Sequence, residues 1–107
     1  MDYRDYLINK FKNYSLNPII ISKHTEIRLI QRDINKKDII ENILNPTRLK
    51  IAIRQESLRK SEEKFDCYFK YKKNFYHRYI IALNSNIIII TAMIIRRRLK
   101  KFFENET

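Results

Sequence analysis

No glycine occurs anywhere in these 107 residues. Gly-rich phosphate loops, dinucleotide-binding fingerprints and nucleophile elbows all need a backbone that a Cβ forbids, so none can be built here. Tight turns must fall to Asn, which tolerates left-handed geometry better than most residues. The sequence places such turns at Lys73-Asn74 and Asn84-Ser85-Asn86, and a helix stop at Asn45-Pro46.

Between the turns the dominant pattern is alternation. In Arg48-Leu49-Lys50-Ile51-Ala52-Ile53-Arg54 one parity is apolar and the other largely basic. Phe65, Cys67, Phe69 and Tyr71 likewise oppose Tyr68, Lys70 and Lys72. Successive side chains of a strand point to opposite faces, so each segment predicts an oily side and a cationic, partly aromatic side. Four strands are expected, over about 47–54, 63–72, 75–83 and 87–94, with turns short enough for an antiparallel meander. Pro18 to Ile21 reads as a further short, buried strand.

Helical spacing appears earlier in the chain. Asp2 to Lys12 predicts a short helix with Tyr6, Leu7, Ile8 and Phe11 on its apolar side. Ser22 is suited to cap a helix that runs to about Arg32, with Ile27, Ile30 and Ile34 expected to face the core. Asn35 opens the next helix, Asp38 lies near its positive end, and Ile39, Ile40, Ile43 and Leu44 form its apolar stripe. The short link between these two helices predicts a tight helical hairpin. The expected architecture is a single α+β domain over 1–107, two-layered, with a core over about 18–95 and a basic tail over 96–107.

The formal net charge of +11 favours a nucleic acid or an anionic membrane over a neutral metabolite. Cys67 is the only cysteine, so no internal disulfide can form, and a reducing cytoplasm fits. The charged start of the chain has no apolar stretch behind it of the kind a secretory signal needs, and no membrane partner is expected. His24, His77 and Cys67 show no ligand spacing, so neither a metal nor another cofactor is expected.

Four groups of residues can carry chemistry. If the strands pair in simple alternation, Arg48, Lys50, Arg54, Tyr68, Lys70 and Lys72, extended by Tyr76 and Arg78, form one basic face for a polyanion. On that face Arg48, Lys50, Arg54, Lys70 and Lys72 would hold phosphates, and the catalytic set would be Lys70, Tyr68, which would stack or act in proton transfer, and Arg78, which would stabilise the transition state. His77 shares the parity of Tyr79 and Ile81, so it reads as a hydrogen-bonded core histidine or a general acid–base, and ranks behind Arg78. Arg96, Arg97 and Arg98 open a basic tail suited to phosphates. Finally, His24, Arg28 and Arg32 recur every fourth residue, so they form one stripe that meets either anions or structural acids such as Asp33, Glu26 or Glu41.

The run from Ile21 to Ile34, with its His24-x-x-x-Arg28-x-x-x-Arg32 spacing, followed by Asp38-Ile39-Ile40, Asn45-Pro46 and Ile90-Thr91, resembles an uncharacterised family of small domains. That family is generally grouped with the RelE/ParE-like toxins of toxin–antitoxin modules. Its members usually have Gly where this chain has Asp33. The resemblance implies a helical hairpin packed on an antiparallel sheet and a ribosome-dependent or free endoribonuclease that acts on mRNA without a metal. In that chemistry the ribose 2′-hydroxyl attacks the neighbouring phosphate. It equally allows a ParE-like inhibitor of a topoisomerase or a non-catalytic nucleic-acid binder. An acidic antitoxin is the implied protein partner, and an edge strand could support a homodimer.

Overall fold

The computed structural model describes residues 2–14 and 19–96. Three helices, α1 (Arg4–Asn13), α2 (Lys23–Gln31) and α3 (Lys36–Leu44), accompany five strands. The strands are β1 (Ile19–Ile21), β2 (Leu49–Gln55), β3 (Glu63–Lys72), β4 (Phe75–Leu83) and β5 (Ile87–Arg96). They form one mixed sheet in the order β1-β5-β4-β3-β2, antiparallel except where β1 runs parallel to β5. The α+β class and the meander are as expected from the sequence. Pro18 and the tail beyond Arg96, with Arg97 and Arg98, lie outside the described residues.

Local signals explain the element ends. The Ser22 side chain accepts from the Thr25 amide at the start of α2, and the Asn35 side chain accepts from the Lys37 amide at the start of α3. The left-handed positions that glycine would normally take fall to Asp33, at φ 55°, and Asn74, at φ 65°. Asp33 therefore takes a backbone conformation that glycine adopts at less cost.

One face of the sheet carries the core. Leu7 and Phe11 of α1, Leu29 and Ile34 around α2, and Ile39 and Ile43 of α3 pack on Phe65, Cys67, Phe69, Tyr79, Ile81, Ile87 and Ile89. Full burial of each such side chain contributes about 1.5–3 kcal/mol. Burial raises the Cys67 thiol well above its ordinary range, so it is no nucleophile.

Two departures from simple periodicity decide where the charges go. First, α2 does not bury Ile27 and Ile30, which are 50% and 81% exposed. It turns Thr25 and Leu29 inward. The reason lies at the sheet edge. β1 covers only Ile87, Ile88 and Ile89 of β5, and the carbonyls beyond need donors. Thr25 Oγ1 donates to the Ile90 carbonyl, and Arg32 Nη1 donates to the Ala92 carbonyl at 2.8 Å. Those bonds fix the rotation of the helix with polar residues toward the sheet. Similarly, α3 buries Ile39 and Ile43 but leaves Leu44 exposed.

Second, β2 is bulged at Lys50, between Leu49 and Ile51. A single extra residue exchanges the faces of everything after it. Leu49 and Ala52 join the core, whereas Ile51 and the half-buried Ile53 turn to the other face, beside Tyr68, Tyr76 and Ile95. The outer edge of β2 is closed by the N-terminal segment: Tyr3 donates its amide to the Ala52 carbonyl, and the Asp2 carboxylate accepts from the Ala52 amide.

Candidate nucleic-acid interface

The bulge at Lys50 breaks up the single basic face expected from alternation. Arg54 lies opposite Phe65 on the helix side and meets Glu63 at 3.4 Å, a carboxylate also reached by Lys10 and by the Tyr6 hydroxyl. The face away from the helices has an apolar centre at Ile51 and Tyr68. Tyr68 is only 2% exposed, with its hydroxyl 3.5 Å from Asp66, so it is not placed to stack on a base. Arg78 is neutralised: its guanidinium clamps the buried Asp66 carboxylate through two bonds of 2.8 and 2.7 Å and lies over the Tyr68 ring. A bidentate pair of this kind holds a buried acid and has no charge left for a phosphate. The assignment of Arg78 and Tyr68 to catalysis is therefore corrected; their work is structural.

His24, Arg28 and Arg32 do lie together, around a shallow cleft with Thr25, Ile90 and Thr91. Arg32 is bound to the β5 edge, and Glu26 pairs with Lys36 at 2.7 Å. The motif thus works first as an edge clasp, with His24 and Arg28 exposed beside it.

Several of the predicted cations do converge, at one end of the sheet. Lys72 lies opposite Phe75, which in turn lies opposite Arg96; Lys70 lies opposite Tyr76; and Leu49, between Arg48 and Lys50, lies opposite Phe69. The topology therefore gathers Arg48, Lys50, Lys70, Lys72 and Arg96 with the turn residue Lys73. All six are exposed. Among the described residues, none of them is within ion-pair distance of a carboxylate. Six cations without a carboxylate partner among the described residues, with Lys72 over the Tyr71 ring, produce a positive potential that concentrates polyanions.

Beneath that rim lies a cleft of about 280 Å³ between α3 and the end of the sheet, lined by Asp38, Glu41, Asn42, Asn45, Thr47, Arg48, Lys70, Tyr71 and His77. His77 is its inner group, with the Tyr71 ring packed on it at 4.5 Å. Its Nδ1 is 2.7 Å from the Tyr79 hydroxyl, and that oxygen already accepts from Asn42 at 2.9 Å. Tyr79 is fully buried, so its own hydrogen needs an acceptor, and His77 Nδ1 is the one within reach. Burial raises the Tyr79 hydroxyl far above its ordinary value and it keeps that proton. Burial also lowers the His77 pKa below 6.5, with Asp38 opposing the shift and Arg48 adding to it.

The imidazole is therefore neutral near pH 7, and its hydrogen is on Nε2. Every buried polar side-chain atom among the described residues is bonded, and no bond engages Nε2, so Nε2 meets solvent in the cleft. It offers the cleft a donor, not a general base. The sequence pattern alone could not assign this role, which depends on Asn42 reaching Tyr79 from another element.

A second cleft, of about 590 Å³, lies at the opposite end and includes Arg54, Glu56, Arg59, Lys60 and Glu62, where both signs mix. Among the described residues no group of three or more His, Cys, Asp or Glu could hold a metal ion, and no helix is long and apolar enough to cross a membrane. Compared with family models, curated proteins and solved structures, the chain matches none.

Proposed function

We propose that this chain binds RNA through the cationic end of its sheet, as a RelE/ParE-like domain of the toxin type that its helical motif resembles. The observation that carries the reading is the gathering of Arg48, Lys50, Lys70, Lys72, Lys73 and Arg96 at one end of the sheet, without carboxylate partners among the described residues, with Arg48 and Lys70 lining a cleft there. The order of short strand, two successive helices and antiparallel meander accords with the order of elements that the resemblance implies, although α2 and α3 do not pack extensively on each other. Single-stranded RNA suits the site better than a duplex. Tyr71 is partly exposed, lines the cleft, and can stack on an unpaired base when Lys72, whose ammonium lies over its ring, moves to a phosphate, whereas a duplex keeps its bases stacked inside.

The resemblance also implies cleavage of mRNA without a metal. With Arg78 and Tyr68 committed elsewhere, such cleavage would run from Lys70 and Arg48, which can offset charge on phosphorus, with His77 Nε2–H as a further donor. The neutral, Nε2-protonated His77 favours a binding role over proton abstraction from the 2′-hydroxyl. An acidic antitoxin-like segment is the protein partner consistent with the same cations.

Titration of a labelled single-stranded RNA across salt concentrations tests the reading. Affinity should fall steeply with salt, with a slope of about 0.7 per phosphate contact. Affinity that ignores salt rejects it. Incubation of the same RNA, and of translating ribosomes, in EDTA separates the nuclease from the binder on a gel.

A further inference from the structure

A site for phosphate alone has no use for carboxylates, yet one wall of the cleft presents two. Asp38 and Glu41 are three residues apart on α3 and so lie on one side of that helix. Arg48, just beyond α3, and Lys70, on β3, line the same cleft. Among the described residues no ion pair joins these acids to these cations, although His77 feels both Asp38 and Arg48. Opposed charges held apart leave room for a ligand with an anionic part and a hydrogen-bond-donating part. A cleft of about 280 Å³ is at the lower limit of small-ligand sites and suits one nucleotide, not a chain of them.

Resting on the RNA-binding reading above, we infer that this cleft takes one unstacked nucleobase of a single-stranded RNA, with the carboxylate wall of Asp38 and Glu41 selecting guanine. Guanine alone among the four bases presents two adjacent donors, N1–H and the 2-amino group, on its pairing edge. A carboxylate has two oxygens to receive them. Adenine and cytosine place a ring-nitrogen acceptor beside their amino group, and uracil places its one donor between two carbonyls, so each turns at least one acceptor atom toward the carboxylate. Tyr71, packed on His77 and covered by the Lys72 ammonium, supplies the stacking surface when Lys72 moves to a phosphate. Arg48 and Lys70 are on the side where the phosphates flanking that nucleotide fall, and His77 Nε2–H donates to an oxygen of the ligand.

The test is a set of uridine decamers with a single central substitution, measured by fluorescence anisotropy on the full chain. The guanosine decamer should bind about tenfold or more tightly than uridine alone, as a good bidentate base contact provides. Inosine, which keeps N1–H and lacks the 2-amino group, should fall between them. In Asp38→Asn/Glu41→Gln the ratio of guanosine to uridine affinity should collapse toward one. Both residues are exposed and the change conserves shape, so folding is retained and is checked by circular dichroism. Equal affinity for all the decamers overturns the guanine assignment while leaving RNA binding in place. A guanosine preference that survives the double substitution removes the carboxylates from the site. Absence of binding to every decamer rejects both the inference and the reading beneath it.

Discussion

The two ends of the sheet carry similar numbers of basic residues and differ in what surrounds them. At the Glu63 end, Arg54 and Lys10 both reach one carboxylate, and Glu56 and Glu62 lie nearby with Arg59 and Lys60. At the Lys72 end, Arg48, Lys50, Lys70, Lys72, Lys73 and Arg96 have no such partner among the described residues. Between the ends, Arg78 is bonded to Asp66. A net charge of +11 therefore says little about where a polyanion docks. What decides it is which cations the strand register brings to a carboxylate and which it leaves without one.

The contrast is broken most severely in the middle. Arg78→Ala leaves Asp66 buried without its partner and should destabilise the fold by about 2–4 kcal/mol in urea unfolding, somewhat less than a fully buried pair because Arg78 is partly exposed. RNA affinity of the folded fraction should not change. If affinity falls and stability does not, Arg78 belongs to the interface after all.

Next in size is the loss at the cationic end itself. Lys70→Ala/Arg48→Ala should cost about tenfold in RNA affinity per cation and reduce the salt slope by about 1.4 in total. Arg54→Ala, at the other end, should leave both unchanged. Equal effects at the two ends would mean that charge acts only in bulk.

Removal of the edge clasp has a smaller effect and tests structure alone. Arg32→Ala leaves the Ala92 carbonyl without this donor and should lower stability by about 1–2 kcal/mol, with RNA affinity retained. A loss of affinity without loss of stability would move the His24, Arg28 and Arg32 stripe from fold to function.

The smallest expected effect is that of pH on His77. Its folded pKa is below the unfolded value of about 6.5, so near that pH the unfolded chain binds the proton first. This contribution is complete above pH about 6.5 and is lost as pH falls toward the folded value. Chemical denaturation between pH about 7.5 and 5 should show that decline, and His77→Asn should flatten it. A decline of the same size in the variant would assign it to other groups.

What the sequence revealed was local. Ser22 and Asn35 announced their helices because a cap needs only its own next two or three residues, and β3 and β4 are located by alternation between short Asn-containing turns. The absence of glycine pointed correctly to Asn74, and Asp33 also takes a left-handed position. The failures came from distant partners. The bulge at Lys50 exists because β2 pairs with β3 in a register that alternation within β2 does not encode. The rotation of α2 follows from the unmet carbonyls of β5, some sixty residues later in the chain. Hydrophobic spacing alone favoured Ile27 and Ile30, because it cannot weigh a hydrogen bond to an edge not yet formed. The cleft around His77 was half legible. His77 and Lys70 stood out individually, whereas Asp38, Asn42 and Tyr71 gained meaning only once α3 lay against the end of the sheet.

The clasped margins have one more consequence. The Ile90 and Ala92 carbonyls on one side are taken by Thr25 and Arg32, and both polar groups of Ala52 on the other side are taken by Tyr3 and Asp2. At those positions a neighbouring molecule finds no main-chain donor or acceptor to zip onto. Copies of this chain that meet there must recognise each other through side chains, and the runaway lateral growth to which Ile-rich strands are prone is checked at both borders.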